Sequence, residues 1–364
     1  MATSVLFYGD NYRMSYIIRK FIEAEKYNIL GIATPSPQSF VYLLNQNSIY
    51  PNNHLSFSFV DSSSSTGAGD YIEVTDMKTG SSSRISLYTI YPDNWINDQG
   101  PADIVICSNS TYISSSILTS IANWGAKATF IAPGTPHAAF WGQSNNLDVL
   151  PHAYRINDYV IDRGNIEIYS EVDVANHILA EIFDSIYNSV NDYPAYCMPI
   201  KICPSPYPDR NFSAANTQDM TAGDSFHNNP KIRSNFHNIR YNGIFNKIIG
   251  KIVPAMNGKT IGYQYSVPGT SCGLMKVIIG MNNSYTLDDI KIFLKISSET
   301  LDISNERKCP LDMLDLTQGE IIIPSIELLG GDGTRSNTFT FTVVYDDTAP
   351  IAYYLQGAIE VYNK

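Results

Sequence analysis

Residues 238–270 constrain the fold of this chain more than any other segment, because they set a helix, a turn and a strand in a fixed order. Apolar residues at spacings of three and four predict an amphipathic helix: Ile244, Phe245, Ile248, Ile249 and Ile252. We expect Pro254 to end this helix, and Asn257-Gly258 favours a turn with a residue at positive φ. A strand is predicted from Ile261 through Tyr263 and Tyr265, and Val267-Pro268 closes it.

The same segment resembles the glyceraldehyde-3-phosphate dehydrogenase family, whose pattern in this place is GKVxPxxNGKxxGxxxRVP. The matching residues are Gly250-Lys251, Pro254, Asn257-Gly258-Lys259, Gly262 and Val267-Pro268. The arginine of the family pattern is missing, because Ser266 stands in its place. Weaker likenesses are Asn123-Trp124-Gly125-Ala126-Lys127 with Ala132-Pro133, and Tyr345-Asp346 before the last predicted helix.

The resemblance follows the order of the family over nearly the whole chain and implies an α/β fold with two domains. It implies a Rossmann-like, doubly wound domain over residues 1–170, completed by a C-terminal helix at residues 348–364. It also implies an α+β domain with a mixed or antiparallel sheet over residues 171–347. In the family, the sheet of this second domain packs against its symmetry mate in the oligomer.

The hydrophobic pattern also predicts alternating strands and helices. The strands expected in the first half are residues 4–8, 27–33, 71–75, 83–90, 103–107 and 128–132, and the helices are 12–24, 36–44 and 112–123. The strands expected in the second half are residues 166–169, 274–281, 320–328 and 338–345, and the helices are 172–189, 286–297 and 351–362. Residues 194–224 are rich in Pro, Asn and Ser and are expected to form a long loop.

The composition is poor in charge and rich in neutral polar residues. Only 16% of the residues are charged and 25 are tyrosine, whereas about a quarter of the residues of an average protein are charged. Such a surface suits extended contacts between proteins. AT-rich coding sequence produces the same bias, and both interpretations stay open. The net charge of −11 argues against nucleic-acid binding, which needs a basic face.

The sequence favours an intracellular protein, in the cytoplasm or the nucleus or within a virus-related particle. It contains no apolar run of about 18 residues, so no membrane span is expected. The first ten residues enter a strand without a charged leader, so no signal peptide is expected. Five scattered cysteines without CxxC spacing are expected to be free thiols: Cys107, Cys197, Cys203, Cys272 and Cys309.

The dinucleotide-binding loop that the resemblance implies is degenerate in this chain. A GxGxxG loop allows the backbone to approach a pyrophosphate. Its three glycines fall on Gly9, Asn11 and Met14, so only the first is kept. Ala33-Thr34-Pro35 has no acid for the ribose, and Asp347 replaces the asparagine that faces nicotinamide in the family. We therefore expect no nicotinamide cofactor.

The nucleophile of the family is also missing. The family places a cysteine at the start of the helix that opens the second domain, and Asp173 occupies that position. A carboxylate does not form the thioester that the reaction requires. No histidine occurs at residues 200–203, where the family has the base, and Ser266 removes a substrate-phosphate clamp. No catalytic, cofactor-binding or metal-binding residue is therefore assigned.

A new site is the alternative. Asp173, His177 and Glu181 lie at i, i+4 and i+8 on one helix face, which suits a metal or an acid/base pair. Exposed helix faces also carry such residues, and an aspartate is favourable in a first helical turn. The basic residues of the long predicted loop are expected to be surface or interface groups instead of a phosphate site: Arg210, Lys231, Arg233 and Arg240.

The leading hypothesis is a pseudoenzyme that keeps the dehydrogenase fold as a self-associating scaffold. Dimers or tetramers that associate further are expected, as in a viral or other particle lattice, with no nucleic-acid or membrane partner. The first alternative is a ligand-binding or regulatory protein that uses the vacated cleft. The second is a metal- or acid/base-dependent enzyme at Asp173 and His177.

Overall fold

The computed structural model has a mixed α/β architecture built on two mixed β-sheets. It describes residues 2–9, 12–34, 37–46, 54–61, 69–88, 102–108, 125–131, 149–151, 167–170, 174–204, 237–240, 249–250, 252–267, 272–295, 301–346 and 348–362. The predicted helix at residues 112–123 and most of the predicted helix at residues 244–252 lie outside these ranges.

The first sheet has nine strands in the order β3-β4-β5-β2-β1-β6-β7-β9-β8. The strands are β1 (Thr3–Gly9), β2 (Tyr27–Ala33), β3 (Leu55–Val60), β4 (Tyr71–Asp76), β5 (Ser82–Tyr88), β6 (Ala102–Ser108), β7 (Gly125–Ile131), β8 (Val149–Pro151) and β9 (Glu167–Ser170). The strands from β5 to β8 in that order are all parallel, whereas β3, β4 and β5 form an antiparallel meander. Helices α1 (Tyr12–Glu23) and α2 (Pro37–Gln46) follow β1 and β2.

The core of the first sheet lies along β1 and β6, the central parallel pair. Val5 and Phe7 of β1 and Ile104 and Ile106 of β6 are completely buried. α1 adds Ile17 and its neighbours to the same cluster, because its apolar residues recur with helical spacing.

The second sheet has seven strands in the order β11-β12-β10-β13-β16-β15-β14. The strands are β10 (Tyr196–Pro204), β11 (His237–Arg240), β12 (Tyr263–Val267), β13 (Cys272–Thr286), β14 (Leu301–Ser304), β15 (Gly319–Leu328) and β16 (Arg335–Asp346). The helices of this part are α3 (Val174–Val190), α4 (Leu287–Phe293) and α5 (Ala349–Tyr362), with short 3₁₀ helices at Pro254–Met256 and Pro310–Met313. α4 starts with a capping box between Thr286 and Asp289.

One face of the neighbouring strands β13 and β16 is buried, and α3 belongs to the same core. Seven inward residues of the two strands are each 0% exposed: Met275, Val277, Ile279, Phe339, Phe341, Val343 and Tyr345. All residues of α3 from Val174 to Phe183 are buried, so this part of the helix is covered on every side. A helix enclosed in this way is a core element of the fold.

The structure corrects the predicted loop at residues 194–224, because β10 lies at its start and occupies the interior of the second sheet. Pro199 within β10 concealed the strand, since proline cannot donate a ladder hydrogen bond. The N–H of Cys197 bonds the carbonyl of Lys259, and the nitrogen of Pro199 faces the same side two residues later. Regular pairing with β12 begins only at Ile200, so Pro199 lies in a gap of this ladder.

The segment at residues 238–270 also differs from its prediction. It opens on β11, which was not predicted. The described helical residues end at Ile252, before Pro254 as predicted, and Pro254 itself begins a short 3₁₀ helix, as its fixed φ permits at a first helical position. Ile261 precedes β12 and is 47% exposed, so it does not share the strand face of Tyr263. The short strands β3, β8 and β14 were missed as well.

Candidate functional site

The carboxyl end of β1, where a dinucleotide-binding loop would begin, is closely packed. A Cβ atom on Gly9 would lie 2.0 Å from the carbonyl oxygen of Ser108 and 3.1 Å from the terminal methyl of Met14. The approach of β6 therefore requires a glycine at this position whether or not a ligand binds. Met14 is completely buried and lies beside Gly9, at the position of the third glycine of the family pattern. Asn11 lies outside the described residues.

The end of β2 presents a threonine at the place where the family has an acid. The backbone N–H of Thr34 donates to the carbonyl oxygen of Tyr88 on β5, at 2.9 Å. Its side chain is 2% exposed, and its hydroxyl has no hydrogen-bond partner. A single hydroxyl lacks the two acceptor oxygens with which a carboxylate binds both hydroxyls of a ribose.

The helix face with His177 and Glu181 lies in the interior and not on the surface. His177 is 0% exposed and Glu181 is 8% exposed. The ring of His177 stacks on Tyr354 of α5, with ring centroids 4.5 Å apart and planes 29° apart. This packing gives His177 a role in holding α3 against α5. Asp173, the third member of the predicted row, lies outside the described residues.

A buried lysine lies on the inward face of the second sheet, and it was not among the predicted site residues. Lys201 of β10 is 1% exposed, and its Nζ is 6.0 Å from the ring centroid of Tyr345 on β16. The Tyr345 ring lies over Gly273, since a Cβ there would be 2.8 Å from the ring. Lys201 shares a face of β10 with Cys197, and burial raises the pKa of the Cys197 thiol. The sequence carried no local signal for this face, because β10 itself was not predicted.

The remaining predicted positions are spread over the second sheet or lie outside the described residues. Ser266 of β12 lies opposite Cys203 of β10 and His237 of β11, so it is a paired residue inside the sheet. Arg240 is the last residue of β11, opposite Tyr263. The positions outside the described residues are Arg210, Lys231, Arg233 and Asp347.

The residues that carry the family resemblance have structural roles in this segment. Met256 to Lys259 form a turn closed by a 3.1 Å hydrogen bond from the N–H of Lys259 to the carbonyl of Met256. Asn257 has φ −61° and ψ 127° and Gly258 has φ +79°, the angles of a type II turn, which needs glycine at its third position. A Cβ on Gly250 would lie 2.7 Å from Oδ1 of Asn257. The local backbone and packing therefore account for Gly250, Asn257 and Gly258 of the motif.

No group of three or more His, Cys, Asp or Glu side chains in the described ranges is placed to hold a metal ion. No helix within the same ranges is long and apolar enough to cross a membrane.

Comparison with known proteins finds one short likeness. No protein-family model matches the chain. A segment of 53 residues is 36% identical to the cytosolic glyceraldehyde-3-phosphate dehydrogenase of Pinus sylvestris. The match spans 15% of this chain and only 16% of the length of the pine enzyme. It supports at most a distant relationship to that enzyme.

Proposed function

We propose that the chain is a non-catalytic protein that associates with copies of itself through the outer face of its second sheet. Its fold is a divergent form of the glyceraldehyde-3-phosphate dehydrogenase fold, with a Rossmann-like first domain. The parallel strand order β5-β2-β1-β6-β7-β9 and the helices that follow β1 and β2 support this assignment. The short match to the pine enzyme supports it as well.

The alternation of side chains along β10 carries the proposal. Its buried face holds Cys197, Pro199 and Lys201, whereas Met198, Ile200 and Ile202 point outward and stay partly exposed. The more apolar side chains of a strand normally face the core. The inversion leaves the apolar side of this interior strand without full cover.

The neighbouring strands extend the same outer surface. Leu274 and Ile278 of β13 share the outward face of β10, and so do Tyr263 and Tyr265 of β12. All four side chains are partly exposed. Apolar surfaces that extend over several strands are seldom left open on monomers.

The charge distribution favours a second copy of the chain as the partner. The chain carries a net charge of −11, so two copies repel each other over most of their surfaces. Among the described outward residues of β10, β12 and β13, Lys276 is the only charged one. Two such faces can approach with little like-charge repulsion. A stable contact should bury at least about 1,000 Å² in total.

Sedimentation velocity at micromolar concentration tests this proposal. The wild-type protein should sediment as a dimer or a larger species at both low and high salt. Salt screens interactions between charges, and the proposed contact is mainly apolar. Ile200→Lys should shift it to a monomer of about the chain mass of 40.5 kDa, since the lysine adds charge at the centre of the contact. Ile292→Lys is the matched control, because Ile292 is 64% exposed on α4, away from this face.

Three results would overturn the proposal. The first is a wild-type protein that is monomeric at micromolar concentration. The second is an Ile200→Lys variant that stays folded and assembles like the wild type. The third is an equal loss of assembly in Ile200→Lys and Ile292→Lys, which would place the contact elsewhere.

A further inference from the structure

A charged cluster links α1 with the segment that precedes β15. The hydroxyl of Tyr16 donates to Oδ1 of Asp315 at 2.5 Å, across 299 residues of sequence. Nζ of Lys20 lies 2.8 Å from the same oxygen. Tyr16 and Lys20 lie one turn apart on the same face of α1, so one carboxylate binds both side chains. Tyr16 is 2% exposed, which makes its bond to a charged acceptor a strong one.

The other side of Asp315 is attached to the end of β16. The backbone N–H of Asp315 donates to Oδ2 of Asp346 at 3.0 Å. Oδ1 of Asp346 accepts the N–H groups of Thr348 and Ala349, at 2.7 and 2.9 Å, and so caps the start of α5. Asp346 is completely buried, so these bonds are shielded from water.

α5 returns to α1 and closes the chain of contacts. Nε2 of Gln356 donates to the carbonyl oxygen of Lys20 at 3.1 Å, and the hydroxyl of Tyr27 bonds the carbonyl of Gln356 at 3.5 Å. Lys26 forms an ion pair with Glu360 near the end of α5. The series of contacts therefore runs from α1 to Asp315, to Asp346, to α5 and back to α1.

The backbone conformation of Asp315 favours glycine, so its aspartate side chain is explained by the contact with Tyr16 and Lys20. Its φ is +66°, in the left-handed region that costs free energy for residues other than glycine and is best tolerated by Asn and Asp. Glycine would fit this conformation with less strain. Aspartate supplies the carboxylate, which receives both Tyr16 and Lys20. Burial, together with the charges of Asp315 and Asp346, raises the pKa of Tyr16 above its ordinary value, so its hydroxyl stays protonated and able to donate.

We propose that Asp315 is a clasp that holds the α1–α5 pair, and with it the first sheet, in one orientation against the second sheet. Loss of the carboxylate should loosen α1 and, with it, the side of α5 that it contacts, because Gln356 still joins the two helices. The stack of His177 on Tyr354 continues to hold α5 against α3.

Hydrogen–deuterium exchange of the full chain tests the clasp. Asp315→Gly removes the carboxylate and suits the backbone angle, so backbone strain cannot explain a loosening. In this variant the amides of α1 and α5 should exchange about tenfold faster, whereas those of β13 and β16 keep their rates. Tyr16→Phe should produce a smaller change of the same pattern.

Glu320→Gln is the matched control. It weakens the 2.7 Å ion pair between Lys308 and Glu320 within the second sheet, and it should leave the exchange of α1 and α5 unchanged. The proposal is overturned if exchange in α1 and α5 stays within twofold of wild type in Asp315→Gly, or if it rises equally in β13 and β16. Should Asp315→Gly fail to fold, the same two criteria apply to Tyr16→Phe.

Discussion

The ring of Tyr196 lies directly over Gly280, on the outer face of the second sheet. A Cβ on Gly280 would be 2.0 Å from the ring, and the hydroxyl of Tyr196 lies 3.1 Å from that of Thr338 on β16. Tyr196 is 43% exposed, so part of its side chain faces the surroundings. Gly280 is therefore a glycine because β13 must accept an aromatic ring from β10.

Gly280→Ala should displace this ring and lower the free energy of unfolding by about 1–3 kcal/mol. Tyr196→Ala should remove most of that penalty, because the added methyl group then meets no ring. The double variant should thus be more stable than the sum of the two single changes predicts. Urea unfolding at one fixed protein concentration measures the coupling, and an additive result would show that the ring does not lie there in solution.

The packing around Gly9 leads to a prediction about cofactors. Met14 occupies the space beside Gly9, and Thr34 offers no carboxylate to a ribose. Calorimetric titration with NAD and with NADP should therefore show no binding below millimolar concentration. An active glyceraldehyde-3-phosphate dehydrogenase, titrated separately under the same conditions, is the positive control. A micromolar dissociation constant for this chain would contradict the prediction.

Variants of His177 can distinguish a structural role of its ring from a metal-binding role. Its ring stacks on Tyr354 inside the protein, so His177→Ala should cost about 2–4 kcal/mol of unfolding free energy. His177→Phe keeps a flat ring and should cost clearly less. Excess Zn²⁺ should leave the Tm of the wild-type protein unchanged. A Zn²⁺-dependent rise in Tm that His177→Phe abolishes would favour a metal site instead.

The sequence predicted those elements whose pattern agrees with their burial. β1, α1, β2 and α5 have apolar residues at the spacing that their environments require, and each lies within two residues of its predicted bounds. β10 was missed because its apolar face points outward, its inward face carries Lys201, and Pro199 interrupts one ladder. Local pattern cannot reveal such a strand, since its place is decided by neighbours far away in sequence.

The candidate site was predictable to a similar degree. The loss of the second and third glycines could be read directly, and the structure explains why the first is kept. The burial of His177 could not be read, because the helix face that carries it packs on Tyr354, which lies 177 residues later in the chain. The contact between Tyr16 and Asp315 has the same origin, since it joins residues 299 positions apart.

Asp332 provides a prediction about pH. Hydrogen bonds from the hydroxyl of Thr334 and from the N–H groups of Arg335 and Thr334 lower the pKa of Asp332 to about 2. A lowered folded-state pKa adds stability above the unfolded value of 3.8, and this contribution is lost as the pH falls toward 2. Thr334→Val removes one donor and should raise the pKa of Asp332 part of the way back. Carboxyl NMR titration measures the change, with Asp76 as the unaffected reference.

The edge of the first sheet provides a last prediction, which separates specific association from nonspecific strand pairing. Asn45 at the end of α2 bonds both backbone groups of Phe57 on β3: its Nδ2 donates to the carbonyl at 2.8 Å, and its Oδ1 accepts the N–H at 3.0 Å. One amide side chain thus occupies the position of a neighbouring strand on this edge, where an uncovered strand would invite pairing with another chain.

Asn45→Ala should lower the unfolding free energy by about 1 kcal/mol and cause slow, irregular growth in light scattering, because the edge of β3 is then open. Asn45→Asp keeps the acceptor and loses the donor, so it should lie between wild type and Asn45→Ala in stability. The size of the proposed oligomer should stay the same in both variants at early times, since its proposed contact lies on the other sheet. An Asn45→Ala protein with wild-type stability and no added scattering would show that Asn45 does not protect this edge.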